Sequence, residues 1–157
     1  MKKIKWTELF ISVLIAELAG ALSALLSGDF SSFYAEIILP SFSPPPFVFP
    51  VLWTILYALM GISAHLVWNE KFCPASKSTA KKLYIAQLSV NFVWSIIFFR
   101  FRLPGIAALT AFLLLGLVAA MIVSFRKISI PAAWLNVPYL LWLTFAVYLA
   151  SGVFFLN

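Results

Sequence analysis

Five long apolar runs fill most of the chain, and each is closed by a short interval of charge, proline or glycine. At about 20 apolar residues per bilayer crossing, each run is long enough to span a membrane as a helix. The pattern predicts helices over residues 6–27, 46–68, 79–99, 106–125 and 130–155. The interval 28–45 holds Gly28, Asp29, Glu36, Pro40, Pro44 and Pro45 and is read as a loop. The cluster at 44–46 ends any regular element, because proline lacks an amide donor, although a proline is tolerated in the first turn of the helix that follows. In the last run, Pro131 predicts an initial turn and Pro138 a kink. The fold class is therefore all-α, an integral membrane bundle of five transmembrane helices in one membrane domain over 1–157. No internal repeat or soluble linker interrupts it.

Composition agrees: 64% of residues are hydrophobic and 10% charged, with a mean hydropathy of +1.05, against roughly half and a quarter in soluble domains. Lys2, Lys3 and Lys5 ahead of the first run raise the possibility of a signal peptide cleaved near 22–24. The run is long enough to span, however, and Glu17 interrupts what would be the signal's apolar core. The net charge of +6 does not indicate nucleic acid, because the basic residues sit at the ends of apolar runs, where they orient helices and meet head groups. Nine lie at the amino terminus, in 69–82 and at 126–127; only Arg100 and Arg102 lie at the other end. This bias predicts a cytoplasmic amino terminus, with the carboxyl terminus and the 28–45 loop extracytoplasmic, as in a bacterial cell membrane. The single cysteine, Cys73, excludes an internal disulfide.

Polar and aromatic residues recur at helical spacing. Tyr84, Gln87, Asn91, Trp94 and Phe98 share one face of the third helix; Trp53, Tyr57 and Gly61 share one on the second; Tyr139, Trp142 and Ala146 share one on the fifth. At about 1.5 Å per residue, Trp53, Asn91, Trp94, Trp142 and Ala146 fall roughly 9–20 Å below the outer end. Aromatic and amide groups from three helices at one depth have the makings of a small-molecule pocket. Asn91 is read equally as interhelical glue or as a ligand contact. Glu17, near mid-membrane, is either functional or hydrogen-bonded structurally. His65 lies about 28 Å along its helix, too deep to ligate a disc in that pocket. One histidine, one cysteine and scattered carboxylates supply neither a metal cluster nor a nucleophile with its base. The small residues Ala16, Gly20, Ala24 and Gly28 form a ridge suited to internal packing or a dimer seam, and Gly116, Ala120 and Ser124 form another.

Three ordered segments carry a family resemblance. Phe33 and Tyr34 precede residues 40–61, PSFSPPPFVFPVLWTILYALMG; residues 87–95 read QLSVNFVWS and 138–142 read PYLLW. Together they resemble the TspO/MBR family of tryptophan-rich sensory proteins and translocator proteins, the peripheral-type benzodiazepine receptors. The resemblance implies a five-helix bundle, usually homodimeric, whose pocket is covered by the first loop as a lid. It implies protoporphyrin IX or haem, or a similar planar hydrophobic molecule, as ligand, with no cofactor required. It also implies, at most, a light- and oxygen-dependent porphyrin degradation that uses Trp53 and Trp142. By motif position Asn91 and Ala146 contact the ligand, and Tyr34 and Pro44 belong to the lid. With the residues of the three faces, the expected ligand contacts are Tyr34, Pro44, Phe49, Trp53, Tyr57, Asn91, Trp94, Phe98, Tyr139, Trp142 and Ala146. Phe33, Phe47, Leu39 and Ala150 depart from the family's usual Trp, Trp, Lys and Asn. No Lys or Arg follows Tyr148, which speaks against sterol binding by the proposed consensus. Arg100 and Arg102 are placed to meet porphyrin carboxylates or to anchor in head groups. The competing functions are a transporter of such molecules and a regulatory membrane scaffold without chemistry.

Overall fold

The computed structural model describes residues 5–157. Lys2 and Lys3 lie outside the described residues. Helix α1 runs over Trp6–Ser27, the short α2 over Phe30–Glu36, α3 over Val48–Asn69, α4 over Pro74–Ser95, α5 over Pro104–Ile128, α6 over Ile130–Leu135 and α7 over Val137–Leu156. A wide turn, Ile96–Arg100, continues α4, and α6 with α7 makes one rod, so among the described residues five helical rods are long and apolar enough to span a bilayer. Helix α1 lies against α3 and α4, and α5 packs against α4, α6 and α7. Large side chains such as Phe10, Leu25, Leu109 and Phe112 point outward. An apolar exterior of this kind is stable only with lipid as the surrounding solvent.

The helix boundaries show where hydropathy and helicity part company. Helix α4 starts at Pro74, five residues before the apolar run, because a proline in the first turn needs no donor and Ser76, Lys77, Ser78 and Thr79 continue the helix outside the hydrocarbon. Helix α3 starts at Val48, and its first amides bond back to the carbonyls of Pro45 and Pro46. The segment read as loop contains α2, whose Asp29 side chain accepts hydrogen bonds from the amides of Ser31 and Ser32. The last crossing breaks at Asn136, two residues ahead of Pro138. The Asn136 side chain donates to the freed Ala132 carbonyl and to the Ser63 hydroxyl of α3, which ties the break to the core.

Two close approaches set the packing of α1 on α3. A Cβ on Gly61 would stand 2.5 Å from the Val13 Cα, so here backbone meets backbone, and the Ser12 hydroxyl donates to the Gly61 carbonyl at 2.7 Å. One on Gly20 would stand 2.3 Å from the Tyr57 ring. Of the ridge, Ala16 and Gly20 therefore pack inside the protein, with Ala16 fully buried, while Ala24 is exposed. Gly116 on α5, by contrast, is exposed with nothing near its missing Cβ.

Replacing Gly61 by Ala is expected to destabilise the bundle by about 1–3 kcal/mol through overpacking against backbone. Gly116→Ala should fall within about 1 kcal/mol of wild type, on the stabilising side, because alanine is the better helix former. Unfolding midpoints in detergent read both.

Candidate functional site

Small residues on one helix and large rings on the next leave a space between them. On α1, Gly20, Ala24, Ser27 and Gly28 face α3, and on α3 Phe49, Trp53 and Tyr57 follow one another at intervals of four. With Pro50, and with Ser95 and Phe99 of α4 and its wide turn, they line a cavity of about 120 Å³. Gly28, with φ at +79°, ends α1 in a conformation that favours glycine. An apolar cavity of roughly 150 Å³ accommodates a benzene ring, so this one holds about one ring as it stands.

Further rings stand behind the cavity wall. Trp53 lies 5.6 Å from Tyr57 and 6.0 Å from Tyr139, centroid to centroid, and Phe49 lies 5.7 Å from Trp142 and 5.5 Å from Tyr34. The edge-to-face pairs among them match the geometry that aromatic quadrupoles favour. Trp53 packs against all three apolar clusters of the interior, so its indole joins the cavity to the core.

The segment between α1 and α3 covers this end. The Tyr34 hydroxyl donates to the Pro44 carbonyl at 2.8 Å. Burial pushes the Tyr34 phenol above its ordinary value, outweighing the opposing effect of Ser43, so the donor keeps its proton at neutral pH. Four contacts fasten the segment elsewhere: Asn157 brackets the Ile38 amide and carbonyl, Tyr148 donates to Ser41, Pro40 sits over Gly152, and Glu36 pairs with Arg102 at 2.6 Å. Arg102 also lies over the Phe33 ring, and Arg100 donates to the Leu26 carbonyl. Both guanidinium groups expected to meet a ligand's carboxylates are thus engaged within the protein.

A polar chain crosses the interior beside Trp53. Asn91 donates to the Tyr139 hydroxyl at 3.0 Å, Tyr139 donates to Gln87 Oε1 at 3.0 Å, and Gln87 reaches the Met60 sulfur at 3.6 Å. Asn91 and Gln87 are fully buried, so these bonds supply partners that lipid cannot. Asn91 Oδ1 and the Trp142 indole nitrogen are buried without a hydrogen-bond partner among the described residues.

Of the residues expected from sequence, Phe49, Trp53 and Tyr57 line the cavity. Tyr34, Tyr139 and Trp142 stand one ring contact behind them, Pro44 is reached through Tyr34, and Asn91 through Tyr139. Trp94, Phe98 and Ala146 belong to a cluster facing α5, where the Trp94 indole donates to the Ala107 carbonyl and stacks on Phe98. Sequence reasoning did not place Gly20, Ala24, Ser27, Gly28, Pro50, Ser95 or Phe99 in the site. The glycines and alanine had stood out only as a packing ridge, while Ser95 and Phe99 continue from Asn91 at steps of four. Glu17 lies half-buried one turn before Gly20, with no hydrogen bond or ion pair among the described residues. His65 is buried near the far end of α3, paired with Asn69.

The model of the TspO/MBR family matches residues 11–156. The chain is 31% identical over 150 residues to the tryptophan-rich protein TspO of Archaeoglobus fulgidus, covering 92% of this chain and 96% of that one. It is 37% identical over 124 residues to the human translocator protein, covering 78% and 73% respectively. The similarity to the tryptophan-rich sensory protein of Cereibacter sphaeroides is 34% over 139 residues, covering 88% and 84%.

Tyr139→Phe removes the hydroxyl that serves both Asn91 and Gln87. It should destabilise the protein by about 1–2 kcal/mol, read as a lowered unfolding midpoint, without altering the residues that line the cavity.

Proposed function

The chain belongs to the TspO/MBR family, and from that premise we propose that it is a membrane receptor for a flat aromatic ligand of the porphyrin class, such as protoporphyrin IX or haem. The observation that carries this reading is the wall formed by Phe49, Trp53 and Tyr57, with Trp142 and Tyr139 one ring behind it, beneath a segment closed by Tyr34 and Pro44. A wall of aromatic rings suits an apolar disc. A cavity of about 120 Å³ admits one ring of such a ligand, so the whole disc enters only when the covering segment lifts. Asn91 Oδ1 and the Trp142 indole nitrogen supply one unused acceptor and one unused donor for the ligand's polar edge. Trp53 and Trp142 are the residues through which a bound porphyrin would be degraded in light and oxygen.

The bias of basic residues supports a cytoplasmic amino terminus, with the covered end outside, in a bacterial cell membrane. Self-association as a homodimer follows from the family reading, and the exposed Gly116 and Ala120 of α5 offer a face on which helices can approach closely. Transport of the same ligand is the second reading, favoured by the unpartnered carboxyl of Glu17 at mid-membrane.

Titration with protoporphyrin IX in the dark is expected to quench tryptophan fluorescence saturably, and illumination in air should consume the porphyrin. A Trp53→Phe, Trp142→Phe double variant should retain binding and lose consumption. Binding without consumption in the wild type would leave a sensor or carrier, and absence of binding would remove the porphyrin reading. Tyr34→Phe, which frees Pro44, should speed association by about fivefold, as expected for loss of one hydrogen bond worth about 1 kcal/mol; stopped-flow fluorescence measures it.

A further inference from the structure

The two ends of the bundle treat their cations differently. At the covered end Arg102 is paired with Glu36 and Arg100 is spent on a backbone carbonyl. At the opposite end Lys5 pairs with Glu8, but no ion pair joins Lys71, Lys77, Lys81 or Lys82 to an acid among the described residues. There a groove of about 610 Å³ straddles the connection from α3 to α4, walled by Trp68, Phe72 and Pro74 and floored by Lys77, Ser78 and Lys81.

Lys77 is held in place. Its ammonium donates to the carbonyls of Trp68 at 2.6 Å and Glu70 at 3.0 Å, which leaves one of its three donors uncommitted beside the groove. Lys81 follows one helical turn later on the same face, and two like charges at that spacing repel. An anion between them would relieve the repulsion, and the Ser78 hydroxyl adds a donor. The half-exposed Phe72 and the Trp68 indole give the same groove an apolar wall, and tryptophan at the end of a spanning helix is the residue type that favours the lipid interface.

We propose that this groove is a binding site for one anionic phospholipid, its phosphate held by Lys77, Ser78 and Lys81 and its glycerol backbone lying against Trp68 and Phe72. Charge complementarity and the mixed lining favour a lipid over a free anion, which would leave the aromatic wall unused.

The test is native mass spectrometry of the full chain with equimolar phosphatidylglycerol and phosphatidylcholine. The first lipid retained should be phosphatidylglycerol. Lys81→Gln should weaken it about fivefold, the effect of one lysine near an anionic surface, and Ser78→Ala should weaken it less. Lys81→Arg should preserve it, and Lys127→Gln, at the same end of the bundle but outside the groove, should leave it within about twofold. Unfolding midpoints of the variants without lipid should match wild type, since Lys81 and Ser78 are exposed. Equal retention of the two lipids would overturn the proposal. So would equal losses from Lys81→Gln and Lys127→Gln, which would mean attraction by the whole basic end rather than a site.

Discussion

Where Gly61 of α3 meets Val13 of α1, two backbones touch with no side chain between them, and the geometry of the covered end follows from that contact. Moving along α1 away from it, the Tyr57 ring is the first group to separate the helices, pressed against Gly20. Farther on, Trp53, Phe49 and Pro50 face Ala24, Ser27 and Gly28 across open space. The helices thus behave as a wedge with its apex at Gly61. A larger residue at the apex would move the wall that carries Trp53, so one glycine a turn beyond the cavity sets its width.

The second constraint is imposed by lipid, which cannot hydrogen-bond the groups a helix bundle leaves over. The structure meets it by pairing buried polar side chains with backbone carbonyls or with one another. Asn136 serves the carbonyl freed at the break in the last crossing, Ser23 donates to the Phe92 carbonyl at 2.8 Å, and the Trp94 indole takes the Ala107 carbonyl. Asn91 and Gln87, one turn apart on α4, are bridged by the Tyr139 hydroxyl of α7. Buried polar residues in this protein are therefore mostly joints between helices. Asn91, Asn136 and Trp142 each keep one buried polar atom without a partner among the described residues, and of these Asn91 and Trp142 lie toward the cavity's aromatic wall.

The five crossings were legible in the sequence because a bilayer demands uninterrupted apolar length, and no other feature of the chain competes with that signal. Helix starts were less legible: hydropathy marks where lipid begins, so the polar first turn of α4 and the whole of α2 did not register. Periodicity assigned Trp94 and Phe98 to a face with Asn91, and they do share the interior side of α4. The period could not say which neighbour that face meets, and these two rings turn to α5 rather than to the cavity. The small residues of α1 were visible as a ridge, but whether a ridge fills or frames a space depends on the size of what opposes it. The positions of Arg100 and Arg102 were read correctly as one end of the molecule. Their engagement with Leu26 and Glu36 depends on a loop path that composition does not specify.

The wide turn that ends the fourth crossing changes how positions in this region correspond between proteins. The Phe101 amide bonds to the Ile96 carbonyl, five residues back, so the segment Ile96–Arg100 accommodates one residue more than a uniform helix. One residue is about 100° of rotation. A relative with a regular helix here would bring a different residue to the place Phe99 occupies beside Phe49. Aligning the two without a one-residue gap would then equate a cavity-lining ring with a lipid-facing one, and an apparent substitution in the site would be a change of phase.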